Sequence, residues 1–487
     1  MIRIYLDWNI ISSLKKPEFN ELKEFIKKHK KYLLFPYSPA HFTDLMKSYQ
    51  PGNDFFYDDL ETLEYLSEKH LIRWGKKGIE PLFATPKEYF ETEKNKDDIF
   101  EQMDVEKVFQ ELEVSFDDLG IGNLGSAIKS LLQLQPTGIE ITKENEKTLK
   151  NMFPHLKPES SMWDLMKDIE PFSKKLLTDG EYYKDFRKSI SESGFKLDSN
   201  SGNWDYKEVV SNIDKFLESF GTKMTYLDYV ESSLKYQKNR QNYHEFFTTA
   251  YLLLDMIGYK TDKLPKQSDN MQNIQADGEH SFYGGHCDYF VAIDKKLRIK
   301  SQVLYSEFNV PTIVLHPSEL ISELEKVIDS SEKEDILGEV ISFCNPENLV
   351  ESHPLSDEIE TYAYKLPKFY FNYFNYVIQS IIEKDNIIAF TFRKAFKNYS
   401  RFIYFTEPER LIDSIVETFG GYEKHDVEEL KRKFVYEDEN IVFEWRFEDG
   451  IIRLQKEEDT ERPILNYIIY CSEEKHPLPR AGQGLQP

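Results

Sequence analysis

The chain has 487 residues, a formal net charge of −24, and a composition that is 40% hydrophobic and 14% aromatic. This length exceeds one ordinary hydrophobic core, so we expect two or three domains, and the apolar content excludes a disordered chain. The negative charge argues against a generally basic surface that coats nucleic acid, although a local basic groove remains compatible with it.

Three widely separated cysteines, Cys287, Cys344 and Cys471, form no CxxC pair. This usage indicates neither a disulfide framework nor a structural zinc site, and it favours a reducing compartment. The amino terminus has no continuous apolar signal segment, and no stretch approaches about 18 apolar residues. We therefore expect a soluble, cytoplasmic protein with no membrane partner.

Residues 1–50 alternate between strand and helix patterns. The apolar run 2–6 predicts a strand that ends at Asp7, residues 19–29 have helical spacing, and residues 32–36 predict a second buried strand. Ser38 followed by Pro39 predicts a helix start, with a hydroxyl cap and proline in the first turn. His41 and Asp44 share one face of that helix because they are three residues apart.

Residues 51–240 are predicted to be largely helical, with helices after the Thr85 and Glu88 capping box and around residues 105–112. From residue 241 the alternation of strand and helix returns. The pattern predicts helices at 243–257, 277–284 and 317–328, and strands at 289–293 and 312–315.

Residues 335–475 have an α+β pattern with antiparallel hairpins. The sequence predicts a Phe- and Tyr-rich helix near 366–382 and strands at 387–392, 402–405, 441–447 and 451–455. Residues 476–487 are rich in proline and glycine, which predicts a disordered tail.

Two of the predicted strands end at aspartates, Asp7 and Asp294. Ligands of open α/β sheets bind at the carboxyl ends of the strands, so acids placed there converge on one crevice. Mutual repulsion would raise the pKa values of these carboxyl groups unless a cation occupied the site. The pattern therefore predicts a metal site.

Three segments together resemble a PIN-like nuclease. They are Ile4-Tyr5-Leu6-Asp7-Trp8-Asn9, then Tyr37-Ser38-Pro39-Ala40-His41 with Asp44 on the following helix, and finally Asp277-x-x-His280 leading to Cys287-Asp288 and Asp294. The family pattern is similar: an aspartate after the first strand, an acid on a helix, a third acid opening a later helix, and a fourth after the next strand. The spacing from the third acid to the fourth, 294 − 277 = 17, is also of the usual size. The match covers roughly residues 1–50 and 241–330.

The resemblance implies an α/β fold: a Rossmann-like PIN domain with a parallel sheet, split by a large helical insertion and followed by a C-terminal α+β region. The expected divisions are 1–50 and 241–334 for the two parts of the PIN-like domain, 51–240 for the insertion, 335–475 for the α+β domain and 476–487 for the tail.

By the same resemblance, Asp7, Asp44, Asp277 and Asp294 would hold Mg²⁺ or Mn²⁺ through oxygen ligands. Asp288 would be a further ligand or a supporting acid, and Asn9 would orient Asp7 or bind a metal-linked water. His41 and His280 would support a carboxylate or contact a phosphate, or else be plain packing residues. The basic residues after the last acid would hold the nucleic-acid backbone or form a solvated helix face: Lys295, Lys296, Arg298 and Lys300.

The implied function is a metal-dependent endoribonuclease that hydrolyses an RNA substrate, restrained by a regulatory protein partner and used as a toxin or defence effector. The C-terminal region would support self-association or bind that partner. A DNA nuclease with the same site and a catalytically inert PIN-like binding module remain open. The inert module is favoured by the acidic surface and by Ala292, which stands where the family usually has Thr or Ser.

Three other motifs indicate their functions more weakly. Gly120, Gly122 and Gly125 match a dinucleotide-binding pattern but follow no clean strand. His280, His286 and Cys287 lack a fourth zinc ligand at familiar spacing. The aromatic run 369–376 is typical of a core or an oligomer interface more than of a base-stacking surface.

Overall fold

The computed structural model describes residues 1–94 except 51 and 77, most of 179–234, then 243–260, 271–328, 336–395 except 357 and 358, 403–437 except 423, and 441–471, with scattered positions between 133 and 175. The predicted helix at 105–112, the glycine motif at 120–125 and the predicted tail at 476–487 lie outside the described residues.

The described strands are, in chain order, β1 (Ile2–Leu6), β2 (Leu33–Leu34), β3 (His70–Gly75), β4 (Gly78–Phe83), β5 (Tyr289–Val291), β6 (Ile313–Leu315), β7 (Leu349–Ser356), β8 (Ile359–Tyr370), β9 (Phe374–Ile382), β10 (Ile387–Arg393), β11 (Phe443–Phe447), β12 (Gly450–Lys456) and β13 (Pro463–Tyr470). The described helices are α1 (Trp8–Ser13), α2 (Asn20–His29), α3 (Pro39–Met46), α4 (Asp54–Ser67), α5 (Pro86–Glu93), α6 (Gly180–Glu192), α7 (Val209–Ser219), α8 (Tyr226–Leu234), α9 (Tyr243–Met256), α10 (Met271–Gly284), α11 (Lys295–Glu307), α12 (Pro317–Val327), α13 (Ile336–Phe343), α14 (Thr406–Phe419) and α15 (Lys424–Tyr436).

A four-stranded parallel sheet of order β2-β1-β5-β6 lies between two layers of helices. Side chains alternate between the two faces of a strand, and β1 follows this rule. Ile4 and Leu6 pack into the core formed with α2, α4 and α12, whereas Tyr5 packs into the core formed with α9, α10 and α11. Burial of both faces is typical of parallel sheets. The predicted mixed α/β architecture with a parallel sheet is confirmed.

Helix starts predicted from local signals occur where expected. Pro39 begins α3 directly after Ser38. The Thr85 hydroxyl accepts a hydrogen bond from the Glu88 amide at 3.1 Å, and the Glu88 carboxylate accepts one from the Thr85 amide at 2.8 Å, which closes the capping box of α5. These signals succeed because each depends on residues within one turn of the helix.

The segment that follows residue 51 contains a hairpin that the sequence pattern did not predict. β3 and β4 pair in antiparallel register, and the chain at Tyr37 bonds to both sides of Leu71. The Tyr37 amide donates to the His70 carbonyl at 3.0 Å, and the Ile72 amide donates to the Tyr37 carbonyl at 2.8 Å. Helices α4 and α5 also pack into the core beneath β1. The hairpin and these helices therefore adjoin the parallel sheet.

The C-terminal region forms a seven-stranded antiparallel sheet of order β11-β12-β13-β10-β9-β8-β7, packed against α13, α14 and α15. The helix predicted near residues 366–382 is wrong, because this segment forms the end of β8, a turn, and β9. Phe371 and Asn372 adopt left-handed φ values of 52° and 53° and reverse the chain. Cross-strand pairing along both edges of β9 outweighs the apparent helical spacing of its aromatic residues.

The strand predicted at 402–405 is also wrong over its described residues, since 403–405 are irregular and lead into α14. Glu407 in the first turn of α14 forms a buried ion pair with Arg3. Tertiary contacts therefore decide the local conformation there.

A buried ion-pair network joins the parallel sheet to the C-terminal region. The Arg3 guanidinium at the start of β1 donates to both carboxylate oxygens of Glu407 on α14, at 2.9 Å from Nε and 2.5 Å from Nη2. The Lys394 ammonium lies 2.9 Å from Asp288 and 3.7 Å from Glu407. Arg3, Glu407 and Lys394 are each at most 5% exposed. The Arg3 and Lys394 charges hold the pKa of Glu407 well below its usual value although burial acts to raise it.

None of the described helices has both the length and the apolar character that a bilayer crossing requires.

Candidate carboxylate site at the edge of the parallel sheet

Asp7 and Asp294 lie at the same edge of the parallel sheet. β1 and β5 are parallel neighbours with Leu6 opposite Val291, and the Asp7 amide continues the ladder by donating to the Val291 carbonyl at 2.9 Å. Asp294 follows two residues after Ala292 and caps α11 by accepting from the Lys296 amide at 2.6 Å and the Leu297 amide at 2.9 Å. Parallel pairing thus brings together two acids that are far apart in sequence.

Asp277 is presented to this edge by α10, which packs unusually close to its neighbours. A Cβ atom at Gly278 would stand 3.1 Å from the Tyr251 ring on α9, and one at Gly284 would stand 2.6 Å from the Phe290 ring on β5. Ordinary Cβ contacts are longer than 3.4 Å, so these two glycines permit an approach that larger residues would prevent. The close packing fixes the height of α10 over the sheet.

The negative charges of Asp7 and Asp294 act on Asp277. The pKa of Asp277 is raised to about 7, chiefly by burial and also by these two charges, against the opposing effects of Lys300 and His280. Burial likewise raises the pKa of Asp7, which is only 2% exposed and accepts a hydrogen bond from the Asn9 amide nitrogen at 3.2 Å. Asn9 therefore contacts Asp7. Such a group of acids is short of positive charge.

Asp44 contacts the group through a histidine. Its Oδ2 accepts from His280 Nε2 at 2.9 Å, and its Oδ1 accepts from the Lys47 ammonium at 2.6 Å. Burial acts to raise the pKa of Asp44, but these two partners outweigh it and lower the pKa to about 2. Both carboxylate oxygens of Asp44 are thus already hydrogen-bonded. The sequence pattern implied that Asp44 would be a direct metal ligand, whereas in the structure it contacts the group through His280.

Beneath the acids runs a buried chain of hydrogen bonds from Asp44 to Ser38. His280 Nδ1 lies 2.9 Å from the Tyr5 hydroxyl, which lies 2.6 Å from the Ser38 hydroxyl. His280 is fully buried, which acts to lower its pKa, but the hydrogen bond to Asp44 and the charges of Asp7, Asp44 and Asp277 raise the pKa overall. The acids therefore favour the charged form of His280, and its hydrogen bond fixes the orientation of Asp44.

His41 has a structural role at the start of α3. Its Nδ1 accepts from the Ser38 amide at 3.0 Å, and its Nε2 donates to the Leu6 carbonyl at 2.8 Å. Burial and the neighbouring His280 lower the pKa of His41 to about 3, so the ring is neutral. These bonds tie the first turn of α3 to the end of β1, immediately before Asp7.

The basic residues of α11 differ in their exposure and in their partners. Lys295 is exposed and Lys296 is half-buried, as contact with a nucleic-acid backbone requires. Arg298 instead donates from Nη1 to the carbonyls of Ala292 and Ile293, each at 2.6 Å. Lys300 is buried and pairs with Asp255 at 3.0 Å. Arg298 thus braces the segment that presents Asp294.

Asp288 is not brought to the site. It precedes β5 and therefore lies at the amino edge of the sheet, whereas the other acids lie at the carboxyl edge. Its carboxylate accepts from the Arg3 amide at 2.7 Å and pairs with Lys394. The predicted role of Asp288 as a ligand or supporting acid is therefore replaced by a role in the buried network at the junction with the C-terminal region.

Two residues near the site were absent from the candidates taken from the sequence: Tyr5 and Lys47. Tyr5 carried a usable signal, because it is a hydroxyl-bearing residue beside the aliphatic Ile4 and Leu6 of β1. Lys47 stands three residues after Asp44, a spacing that predicts an ion pair on one helix face. Lys300, which the sequence placed among the basic residues beside the site, is instead buried against Asp255 of another helix.

The donor chemistry of the site fits a hard divalent cation. Carboxylate oxygens from Asp7, Asp277 and Asp294 are the ligands that Mg²⁺ and Mn²⁺ prefer, and the raised pKa values of Asp7 and Asp277 indicate a place where a cation would relieve repulsion. Within the part of the chain that the structure describes, no three His, Cys, Asp or Glu side chains are grouped closely enough to share a metal ion. The ligands are therefore not arranged in advance around one point.

No protein-family model, curated protein or solved structure matches this chain significantly.

Proposed function

We propose that this protein is a metal-dependent nuclease of the PIN-like type and that its substrate is RNA. The observation that carries the proposal is that Asp7 and Asp294 lie at the carboxyl edge of the parallel sheet, where the charges of both disfavour the ionisation of Asp277. A Rossmann-like sheet binds ligands at this edge. The sequence resemblance supplies the reaction class, and the charge coupling of these acids supports it.

In this proposal Asp7, Asp277 and Asp294 would hold Mg²⁺ or Mn²⁺. The bound ion would supply positive charge to the scissile phosphate and acidify an attacking water. Asn9 orients Asp7, Arg298 braces the carbonyls before Asp294, and Asp44 acts through His280. Lys295 and Lys296 at the start of α11 would contact the phosphate backbone beside the acids.

The test is cleavage of labelled single-stranded RNA and DNA by the purified full chain with Mn²⁺. We expect the parent to cut RNA and both Asp7→Ala and Asp294→Ala to lose the activity by about a hundredfold or more, because each removes a ligand charge. Asp413→Ala is the matched control, since Asp413 is an exposed acid of α14 paired with Lys431. Cutting of DNA alone would reassign the substrate, and equal cutting by all variants would contradict the proposal.

A catalytically inert binding module is the second candidate. It is favoured by the engagement of both Asp44 oxygens with His280 and Lys47, and by Ala292 in place of a hydroxyl residue. Under this candidate RNA binds without cleavage. Filter binding of the same RNA, measured with parent and Asp294→Ala in Mn²⁺ and in EDTA, separates the candidates: binding with no cutting under any condition supports the inert module.

Control by a regulatory protein and self-association through the C-terminal region stay predictions. Deletion of residues 335–487 is a poor test of them, because it would leave Arg3 buried without Glu407. Light scattering on the full chain at several concentrations measures self-association directly.

A further inference from the structure

A cavity of about 530 Å³ opens at the amino edge of the parallel sheet, between that sheet and the C-terminal region. Its walls come from β1, from the turns before β5 and β6, from α12, and from β8 and β9. Small-molecule sites have volumes of roughly 300–1,000 Å³ and favour junctions between domains. The cavity thus has the size and the position of a ligand site, and it is separate from the acids at the opposite edge.

The lining of the cavity is cationic although the chain carries a net charge of −24. Its charged residues are two acids, Asp288 and Glu323, and five cations: Arg3, Lys365, Lys368, Lys394 and Arg462. The inner cations, Arg3 and Lys394, are neutralised by Asp288 and by Glu407 behind the wall. Of the other three lining cations, Lys365 is exposed, Lys368 is half-buried and Arg462 is buried, so the positive charge that a ligand can meet comes from Lys365 and Lys368.

Two of the lining cations, Lys365 and Lys368, are accessible to a ligand. Lys365 is exposed and forms no ion pair with another described residue, while Lys368 pairs with Glu339, which is not part of the lining. The lining also has apolar and aromatic side chains: Val327, Phe369 next to Lys368, and Tyr376, which is the cross-strand neighbour of Lys365. Lysine ammonium groups bind phosphate oxygens as point charges, and an aromatic wall suits the flat face of a base. Phosphate and an aromatic group occur together in nucleotides.

We propose that this cavity binds a phosphorylated small molecule of nucleotide size, with Lys365 and Lys368 holding its phosphates. This inference does not rest on the proposed nuclease function, because no acid of the carboxylate site lines the cavity. Arg3 and Asp7 nevertheless lie at opposite ends of β1, about 13 Å apart at 3.3 Å per residue. A ligand that contacts the Arg3 and Asp288 network is therefore placed to influence the strand ends that carry Asp7 and Asp294.

The experiment is isothermal titration calorimetry of the full chain with pyrophosphate and with ADP, in EDTA so that no divalent ion links phosphate to the acids. We expect binding to the parent and a loss of about tenfold or more in Lys365→Glu, because a charge-assisted contact becomes repulsive. Lys28→Glu, the same change on the exposed face of α2 outside the cavity, should bind as the parent does.

Each outcome decides the proposal. Pyrophosphate and ADP that compete for one site identify phosphate as the recognised group, and ADP alone identifies a nucleotide. No heat with either probe, or equal affinities in the parent and in Lys365→Glu, would overturn the inference. Thermal unfolding of each variant without ligand checks that a loss of binding heat does not result from unfolding of the variant.

Discussion

Asp277→Asn should stabilise the metal-free protein, and the gain should grow with pH. The carboxylate of Asp277 is disfavoured in the folded state, since its pKa is about 7 against a usual 3.8. Because folding raises the pKa of this carboxyl group, the free energy of unfolding decreases as pH rises from the unfolded pKa to the folded one. Asn has nearly the same shape and no charge, so it removes this penalty.

The magnitude follows from the two pKa values. The difference between 3.8 and about 7 corresponds to roughly 4 kcal/mol at pH 8, where the group is ionised in both states. Asp277 keeps partial contact with solvent, which lessens the effect, so roughly 4 kcal/mol is an upper bound. Below pH 7 the free-energy cost of ionising Asp277 in the folded protein decreases by about 1.4 kcal/mol per pH unit. At pH 5.5 the gain should therefore be roughly half of its value at pH 8.

The assay is urea unfolding of the parent and Asp277→Asn in EDTA at pH 5.5 and pH 8. Asp413→Asn is the control, because its exposed carboxylate should change the free energy of unfolding by less than about 1 kcal/mol at either pH. A gain of the same size at both pH values, or a loss of stability at pH 8, would refute the reasoning. The same substitution should abolish cleavage if Asp277 holds the cation, which would make the site a source of instability retained for activity.

Three further changes have outcomes that the structure specifies. Glu407→Gln should lower the free energy of unfolding by roughly 3–5 kcal/mol at pH 7 in urea titrations, because Arg3 would be left buried without a counter-charge, and this difference should shrink as pH falls through the acid range. Gly284→Ala should cost about 1–3 kcal/mol in the same assay, because its Cβ would stand 2.6 Å from the Phe290 ring. Mn²⁺ should raise the thermal midpoint of the parent but not that of Asp7→Ala.

Matched controls separate these effects from general damage. Glu444→Gln removes an acid that pairs with Arg446 and Arg453 at the surface and should cost less than about 1 kcal/mol. Gly338→Ala adds a Cβ in open space on α13 and should be neutral or slightly stabilising. Asp413→Ala should respond to Mn²⁺ as the parent does. If Glu407→Gln lowers the free energy of unfolding no more than Glu444→Gln does, the buried ion pair contributes little to stability.

Much of the α/β region could be predicted from the sequence because its signals are local. The strand at β1, the cap at Ser38 and Pro39, the capping box at Thr85 and the start of α12 all depend on neighbours within one helical turn or on a short apolar run. In the C-terminal region the aromatic residues of β8 and β9 gave a false helical period. Their conformation is set by pairing with strands that lie distant in sequence, which periodicity does not contain.

For the site, the sequence by itself determined which acids follow strands and which lie on helices. From this order it predicted that Asp7 and Asp294 are close in space. Only the tertiary structure decided what each carboxylate faces. Parallel pairing sent Asp288 to the opposite edge from Asp294, although the two are six residues apart, and packing of α10 on α3 joined Asp44 to His280 and to the buried Tyr5 hydroxyl. The physical reason is that burial and charge coupling depend on distances in space, whereas a sequence specifies only the order of the groups and their local spacing.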